Sequence, residues 1–207
     1  MAQRFSERPV KFGAISAQTL AKMLVNRHYA GERELILDLA DIFNAELRAV
    51  AAAGCRVIQV EEPRHHISGP DGTASDADLQ FFTDAINREI KGVETEVWLH
   101  TCWGNPNQQP LHWVRPSYER ALPYLLQTNA DVITLECAST GGRDLPLLGK
   151  YRTDKKIAIG VVSHTTAAVE PPTVVADLIR RALEFVPPER LILSTDCGFG
   201  REGLAWR

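Results

Sequence analysis

Val132-Ile133-Thr134-Leu135-Glu136 (VITLE, 132–136) is an apolar run too short for a helix and closed by a carboxylate. Read as a strand, it puts Val132, Thr134 and Glu136 on one face and Ile133, Leu135 and Cys137 on the other. The same form recurs along the chain. Val57–Val60 (VIQV) runs into Glu61-Glu62-Pro63, and Val97–Cys102 (VWLHTC) contains its own polar end. Ile157–Val162 (IAIGVV) runs into Ser163-His164, and Leu191–Thr195 (LILST) into Asp196-Cys197. Val10–Ser16 (VKFGAIS) opens the series.

Helical patterns lie between most of these strands. Over Glu32–Ala53, Leu35, Ile36, Leu39, Ile42, Phe43 and Leu47 recur at helical spacing, and Gly54 stands where a C′ glycine belongs. Ser75 is a candidate cap for a helix over Asp76–Ile90, with Asp78 in its first turn. Tyr118–Gln127 reads as helical with Pro123 as an internal weakness. Thr173–Phe185 is amphipathic and is closed by Pro187 and Pro188.

Short, continuously apolar strands alternating with helices predict an α/β fold with a parallel sheet covered by helices. No Gly-x-Gly-x-x-Gly or P-loop opens a helix, which weighs against a nucleotide-binding doubly wound sheet. Polar residues cluster at the C-terminal ends of the strands, where (β/α)₈ TIM barrels build their active sites. The expectation is therefore a barrel of that type, as a single catalytic domain over residues 1–207. About six strands are visible against the eight of a full barrel, and the chain stops at Trp206-Arg207. An incomplete barrel is expected, a fragment lacking its first two strands and final helix.

Composition narrows the function. Of 207 residues, 44% are hydrophobic and 24% charged, the balance of an ordinary globular domain. A net charge of -3 supplies no basic stripe for nucleic acid. No apolar run approaches the roughly 20 residues that span a bilayer, and MAQRFSERPVKFG lacks a secretory h-region. A cytoplasmic setting is expected, in which the four cysteines are free, metal-bound or catalytic rather than paired.

His100-Thr101-Cys102 puts an imidazole and a thiol two residues apart on a strand, facing the same way. Nitrogen and sulfur are preferred zinc ligands, although for this pair alone a packed histidine beside a buried cysteine is the favoured reading. Cys197 ends the last strand beside Asp196 and before Gly198, and it reads either as a ligand or as a small buried apolar residue. Glu136, deep in an apolar run, must be paired, protonated or bound to a cation; a salt bridge to Arg143 or Lys150 is the plain alternative to a metal. Parity turns Cys137 toward the helices, so Cys137 and Cys55 are taken as structural. His65 and His66, adjacent and therefore pointing apart, are taken as loop residues. Trp103, Asn105 and Trp113 either shape a pocket or pack its rim.

HTCWGN, DVITLECAS and RLILSTDCGFG resemble the His-x-Cys, glutamate and terminal cysteine segments of the cobalamin-independent methionine synthase family. The resemblance covers most of the chain from about Arg56 onward. It implies a (β/α)₈ barrel that binds Zn²⁺ through His100, Cys102, Glu136 and Cys197. VIQVEEP resembles the segment whose acidic residue contacts the amino-acid substrate, which assigns that role to Glu61; apart from the resemblance, Glu62 is a candidate to orient a zinc ligand. GVVSH places His164 at the position of the family's proton donor; a surface loop histidine is the alternative. The implied reaction is S-methyl transfer to a small thiol such as homocysteine, in methionine biosynthesis, from an alkyl donor. The His-to-Glu spacing is longer than in the family, through residues 105–115, and the folate contacts find no match. HTCWGNPNQQ and DCGFGREG are similar to short single-barrel relatives such as epoxyalkane:coenzyme M transferase. An epoxide–thiol transferase, an inactive zinc-binding fragment and a zinc-free decarboxylase of the uroporphyrinogen type are the competing expectations.

Overall fold

Six strands form one sheet, all parallel, in the order in which the chain makes them. The structure is a computed structural model and describes residues 2–63, 65, 74–103, 117–166 and 168–199. The order is β1 (Lys11–Ile15), α1 (Ala17–Ala21), α2 (Glu32–Ala52), β2 (Val57–Glu61), α3 (Asp76–Glu89) and β3 (Glu96–His100). There follow α4 (Leu122–Leu125), β4 (Val132–Leu135), α5 (Leu145–Lys150), β5 (Lys156–Val162), α6 (Pro172–Leu183) and β6 (Leu191–Thr195). Every strand neighbours its successor, which is the strand order of a TIM barrel. β1 pairs only with β2 and β6 only with β5, so the sheet is not closed among the described residues.

The period-two pattern divides the two faces. Ile58, Val60, Leu99, Ile133, Leu135, Ile157 and Ile159 point to the helices and form one core with Leu47, Leu79, Ile86, Leu122 and Leu178. The opposite face carries Gln59, Glu61, Trp98, His100 and Thr134, which line a cavity of about 480 Å³. No described helix is long and apolar enough to cross a membrane.

Local chemistry sets the helix ends. Ser75 and Asp78 form a reciprocal capping box at the start of α3, as the sequence predicts. Gly54 follows α2 with φ of 91°, a conformation that favours glycine. The helix expected over Tyr118–Gln127 shrinks to Leu122–Leu125, because Pro123 lacks an N–H and is accommodated in the first turn. Two short helices, α1 and α5, carry too few residues to show a period, and sequence reading does not find them.

Two buried braces fix the strand ends. In the first, the Ser16 hydroxyl caps α1 at Thr19 N (3.2 Å) and donates to the Glu62 carboxylate, to which Thr19 also donates. Glu89 of α3 reaches the same place and accepts from Ala17 N at 3.0 Å. In the second, the fully buried Tyr118 hydroxyl donates to Thr101 O (3.2 Å) and accepts from Glu136 N (3.0 Å). It thereby ties together the chain leaving β3 and the chain leaving β4.

Both braces are testable. Burial pushes the Glu89 carboxyl up to about 8; the Ala17 N–H opposes the rise and Glu62 adds to it. The folded chain therefore holds a proton that the unfolded chain releases above its ordinary value of 4.5. Stability falls as pH rises through that window, and is fully present only below it. Urea unfolding at about pH 5 and about pH 8 should show this fall, and Glu89→Gln should flatten it. Tyr118→Phe deprives two buried backbone groups of a partner and should cost about 1–3 kcal/mol in the same assay.

Candidate metal centre

The chain emerging from β3 carries His100, Thr101 and Cys102 into the mouth of the sheet. His100 is the last residue of the strand, and Cys102 lies just beyond it. The two-residue offset still directs both to the same place. Cys197 arrives from the end of β6. The ligand atoms of His100, Cys102 and Cys197 all lie within 4.8 Å of one another, and all three residues are buried. His100 Nδ1 is bonded to the Thr134 hydroxyl at 2.9 Å, which fixes the ring and leaves Nε2 available to a metal.

Glu136 leaves β4 beside this trio. It forms no pair with Arg143, which sits 3.9 Å from Asp144, or with Lys150, which lies over the Tyr151 ring. Its carboxylate instead accepts from Trp103 N (2.9 Å) and from the Ser139 hydroxyl (2.7 Å). Burial pushes Glu136 up to about 7, the Asp196 charge adds to the rise, and Cys197 also contributes. Glu136, His164 and Asp196 form a second buried group, with ligand atoms again within 4.8 Å of one another.

His164 is 1% exposed, which rules out the surface-loop alternative. Neither ring nitrogen has a hydrogen-bond partner among the described residues. Hydrogen bonding from the Cys102 thiol, above all, holds Cys197 below the ordinary thiol value against the effect of burial, helped by His100 and by the charge of His164. Burial raises Asp196 above the usual aspartate value, and three backbone donors pull against that rise. Imidazole nitrogen, two sulfurs and an adjacent carboxylate whose proton affinity is raised form a donor set that suits a borderline divalent cation such as zinc.

The remaining sequence candidates fall as follows. Glu61 ends β2 on the cavity wall, where Gln59 Nε2 donates to it at 3.2 Å. Glu62 is buried in the α1 brace, where Ser16 and Thr19 donate to its carboxylate. Cys137 packs in the core toward the helices as parity predicts, and Cys55 donates to Val57 O at 3.3 Å. No disulfide is formed among the four cysteines. His65 lies in a turn, as expected of a loop residue, but is not solvated. It is buried against Thr83 (3.2 Å) and Phe82, and burial pushes it down to about 3. Trp103 packs on Tyr118 with ring centroids 4.5 Å apart. His66, Asn105, His112 and Trp113 lie outside the described residues. Sequence reading missed Tyr118, Thr134 and Ser139 as supports of the site, because a single hydroxyl gives no periodic signal.

A larger hollow of about 590 Å³ lies at the opposite end of the strands, between Leu148, Phe185 and Arg190, and holds none of these groups.

Comparison with known proteins agrees with this geometry. Residues 1–206 match the family described as cobalamin-independent synthase, catalytic domain. A methionine synthase from Saccharolobus solfataricus is 31% identical over 87% of this chain and 48% of its own length. One from Thermococcus kodakarensis is 32% identical over 91% and 50%. The chain thus spans about half the length of the curated relatives it matches. A B12-independent methionine synthase from Shewanella sp., solved in complex with selenomethionine, superposes with a TM-score of 0.84 at 28% identity, over 95% of this chain and 57% of that one. A methyltransferase from Methanosarcina mazei shares the fold, with a TM-score of 0.62 at 18% identity over 95% and 55%. A parallel α/β barrel sheet, a His-x-Cys, glutamate and cysteine set at its strand ends, and a family match from end to end place this chain in the cobalamin-independent methionine synthase family, within its catalytic domain.

Proposed function

We propose that this chain carries the thiol-activating centre of a zinc-dependent S-methyltransferase that methylates a small thiol such as homocysteine from a methyl donor. The observation that carries the reading is the convergence of His100, Cys102 and Cys197 within 4.8 Å in a buried pocket beside Glu136. His100, Cys102, Glu136 and Cys197 would hold the ion. A bound Zn²⁺ would act as a Lewis acid that lowers the pKa of a ligated substrate thiol toward neutrality.

The protein's own groups do the rest. Thr134 holds the His100 ring, and Trp103 N–H and the Ser139 hydroxyl aim the Glu136 carboxylate. With the ion bound, Glu136 would be the most weakly held of the four ligands, because carboxylate is the hardest donor of the set for a borderline metal. Glu61, on the wall of the adjoining cavity, would accept the substrate ammonium. His164, buried and without a hydrogen-bond partner among the described residues, would deliver a proton to the departing nitrogen or oxygen of the donor. The selenomethionine bound by the Shewanella relative supports an amino-acid substrate of this class, and the name shared by the curated relatives supports a methyl donor.

Metal analysis of the purified chain should find about one zinc per polypeptide, lost in both Cys102→Ser and Cys197→Ser. His164→Asn should keep the metal while lowering the methylation rate by about 10²–10⁴-fold. A chain without stoichiometric metal, or one whose metal survives both cysteine substitutions, would refute the assignment.

A further inference from the structure

We propose that Asp196 is a positioning residue that locks Glu136 and Cys197 into one arrangement by clamping the turn after β4 onto the end of β6. Its carboxylate is 1% exposed and accepts three successive backbone amides. Cys137 N and Ala138 N reach Oδ1 at 2.8 and 2.9 Å, and Ser139 N reaches Oδ2 at 2.7 Å. Consecutive amides converging on an anion form a rigid concave cradle. On one side the clamp continues to Glu136, because Ser139 donates its hydroxyl to Glu136 Oε1 at 2.7 Å. On the other, Asp196 is covalently the neighbour of Cys197.

The reach of this carboxylate needs an explanation, since β4 and β6 are not adjacent: β5 lies between them. Two features of β5 open the way. A Cβ at Gly160 would lie 2.0 Å from Asp196 Oδ1, 2.6 Å from its Cα and 2.8 Å from its nitrogen. No side chain larger than hydrogen fits there. The β5–β6 register also slips, from Gly160 opposite Ser194 to Val162 opposite Thr195, and Asp196 N then bonds Val162 O at 2.9 Å. The slip and the missing side chain let the chain after β6 fold across β5 onto the β4 turn.

Asp196 also lies within ligand distance of Glu136 and His164, so it could instead be read as a metal donor. Both its oxygens, however, already face backbone donors. Asp196 accepts three backbone amides where Glu136 accepts one amide and one hydroxyl, so of the two it is the more heavily engaged in holding backbone, and the substitutions below separate that role from ligation.

The metal part of the test rests on the zinc reading above; the clamp itself does not. Asp196→Asn keeps the side-chain shape but cannot accept from both sides. Gly160→Ala keeps the carboxylate and fills its seat. In the metal-free chain, either substitution should speed amide hydrogen exchange at Cys137, Ala138 and Ser139 by roughly tenfold or more, with β1–β3 unchanged. In chelator competition with Co²⁺, either should weaken binding by about 10–100-fold, while the thiolate-to-cobalt charge-transfer band remains at saturation and the ligand-field bands shift. Three results would overturn the proposal. One is a lowered melting temperature with Co²⁺ affinity within about twofold of the unsubstituted chain, the mark of a merely structural role. Another is lost affinity with unchanged amide exchange, the mark of a ligand. The third is unchanged exchange in both variants. If the unsubstituted chain shows no thiolate–cobalt band, the zinc reading fails and the exchange data alone decide the clamp. If Asp196→Asn does not fold, Gly160→Ala decides it.

Discussion

Ionisable groups of the same sign crowd the mouth of this sheet. Glu136, Asp196 and Cys197 are all buried there, and the charges of Asp196 and Cys197 raise the proton affinity of Glu136. A low-dielectric site with several potential anions is costly unless protons, amides or a cation offset the charge. Asp196 is answered by three backbone N–H groups and Glu136 by one N–H and one hydroxyl. Cys197 draws on Cys102 and His100. The rest of the architecture serves to hold these groups together. Parallel strands deliver them to one end, Tyr118 ties two of the strand ends, and Gly160 leaves room for a third segment to cross.

Such an arrangement spends stability on function. A core of Ile, Leu and Val side chains on the helix-facing side of the sheet carries the fold, while the other face is given over to polar groups. Natural proteins keep buried polar clusters of this kind where chemistry or binding requires them. The brace around Glu62 and Glu89 belongs to the same economy. It secures the ends of β1 and β2, and so the position of Glu61 on the cavity wall.

Much of this was legible in the residues alone. Four- to seven-residue apolar runs betray parallel strands because both faces are covered. The side-chain parity of VITLE correctly separated Glu136 from Cys137. His-x-Cys worked for the same reason, although the strand itself ends at His100. What stayed hidden was local. Pro123 began a helix instead of interrupting a longer one, and α1 and α5 are too short to carry a period. His65 is a turn residue, as the sequence suggests, but its burial was not legible, because burial of a single side chain depends on the elements that fold over it. Asp196 stood in plain view as the residue before Cys197. Its three bonds reach 57 to 59 residues back along the chain, and no spacing rule exposes a contact of that kind.

The central claim is that two sulfurs and one imidazole from separate strand ends share a single ion. X-ray absorption at the zinc edge of the metal-loaded chain tests it most directly. The account predicts two sulfur neighbours at about 2.3 Å together with nitrogen or oxygen neighbours near 2.0–2.2 Å. A shell of nitrogen and oxygen alone, or one holding a single sulfur, would contradict it.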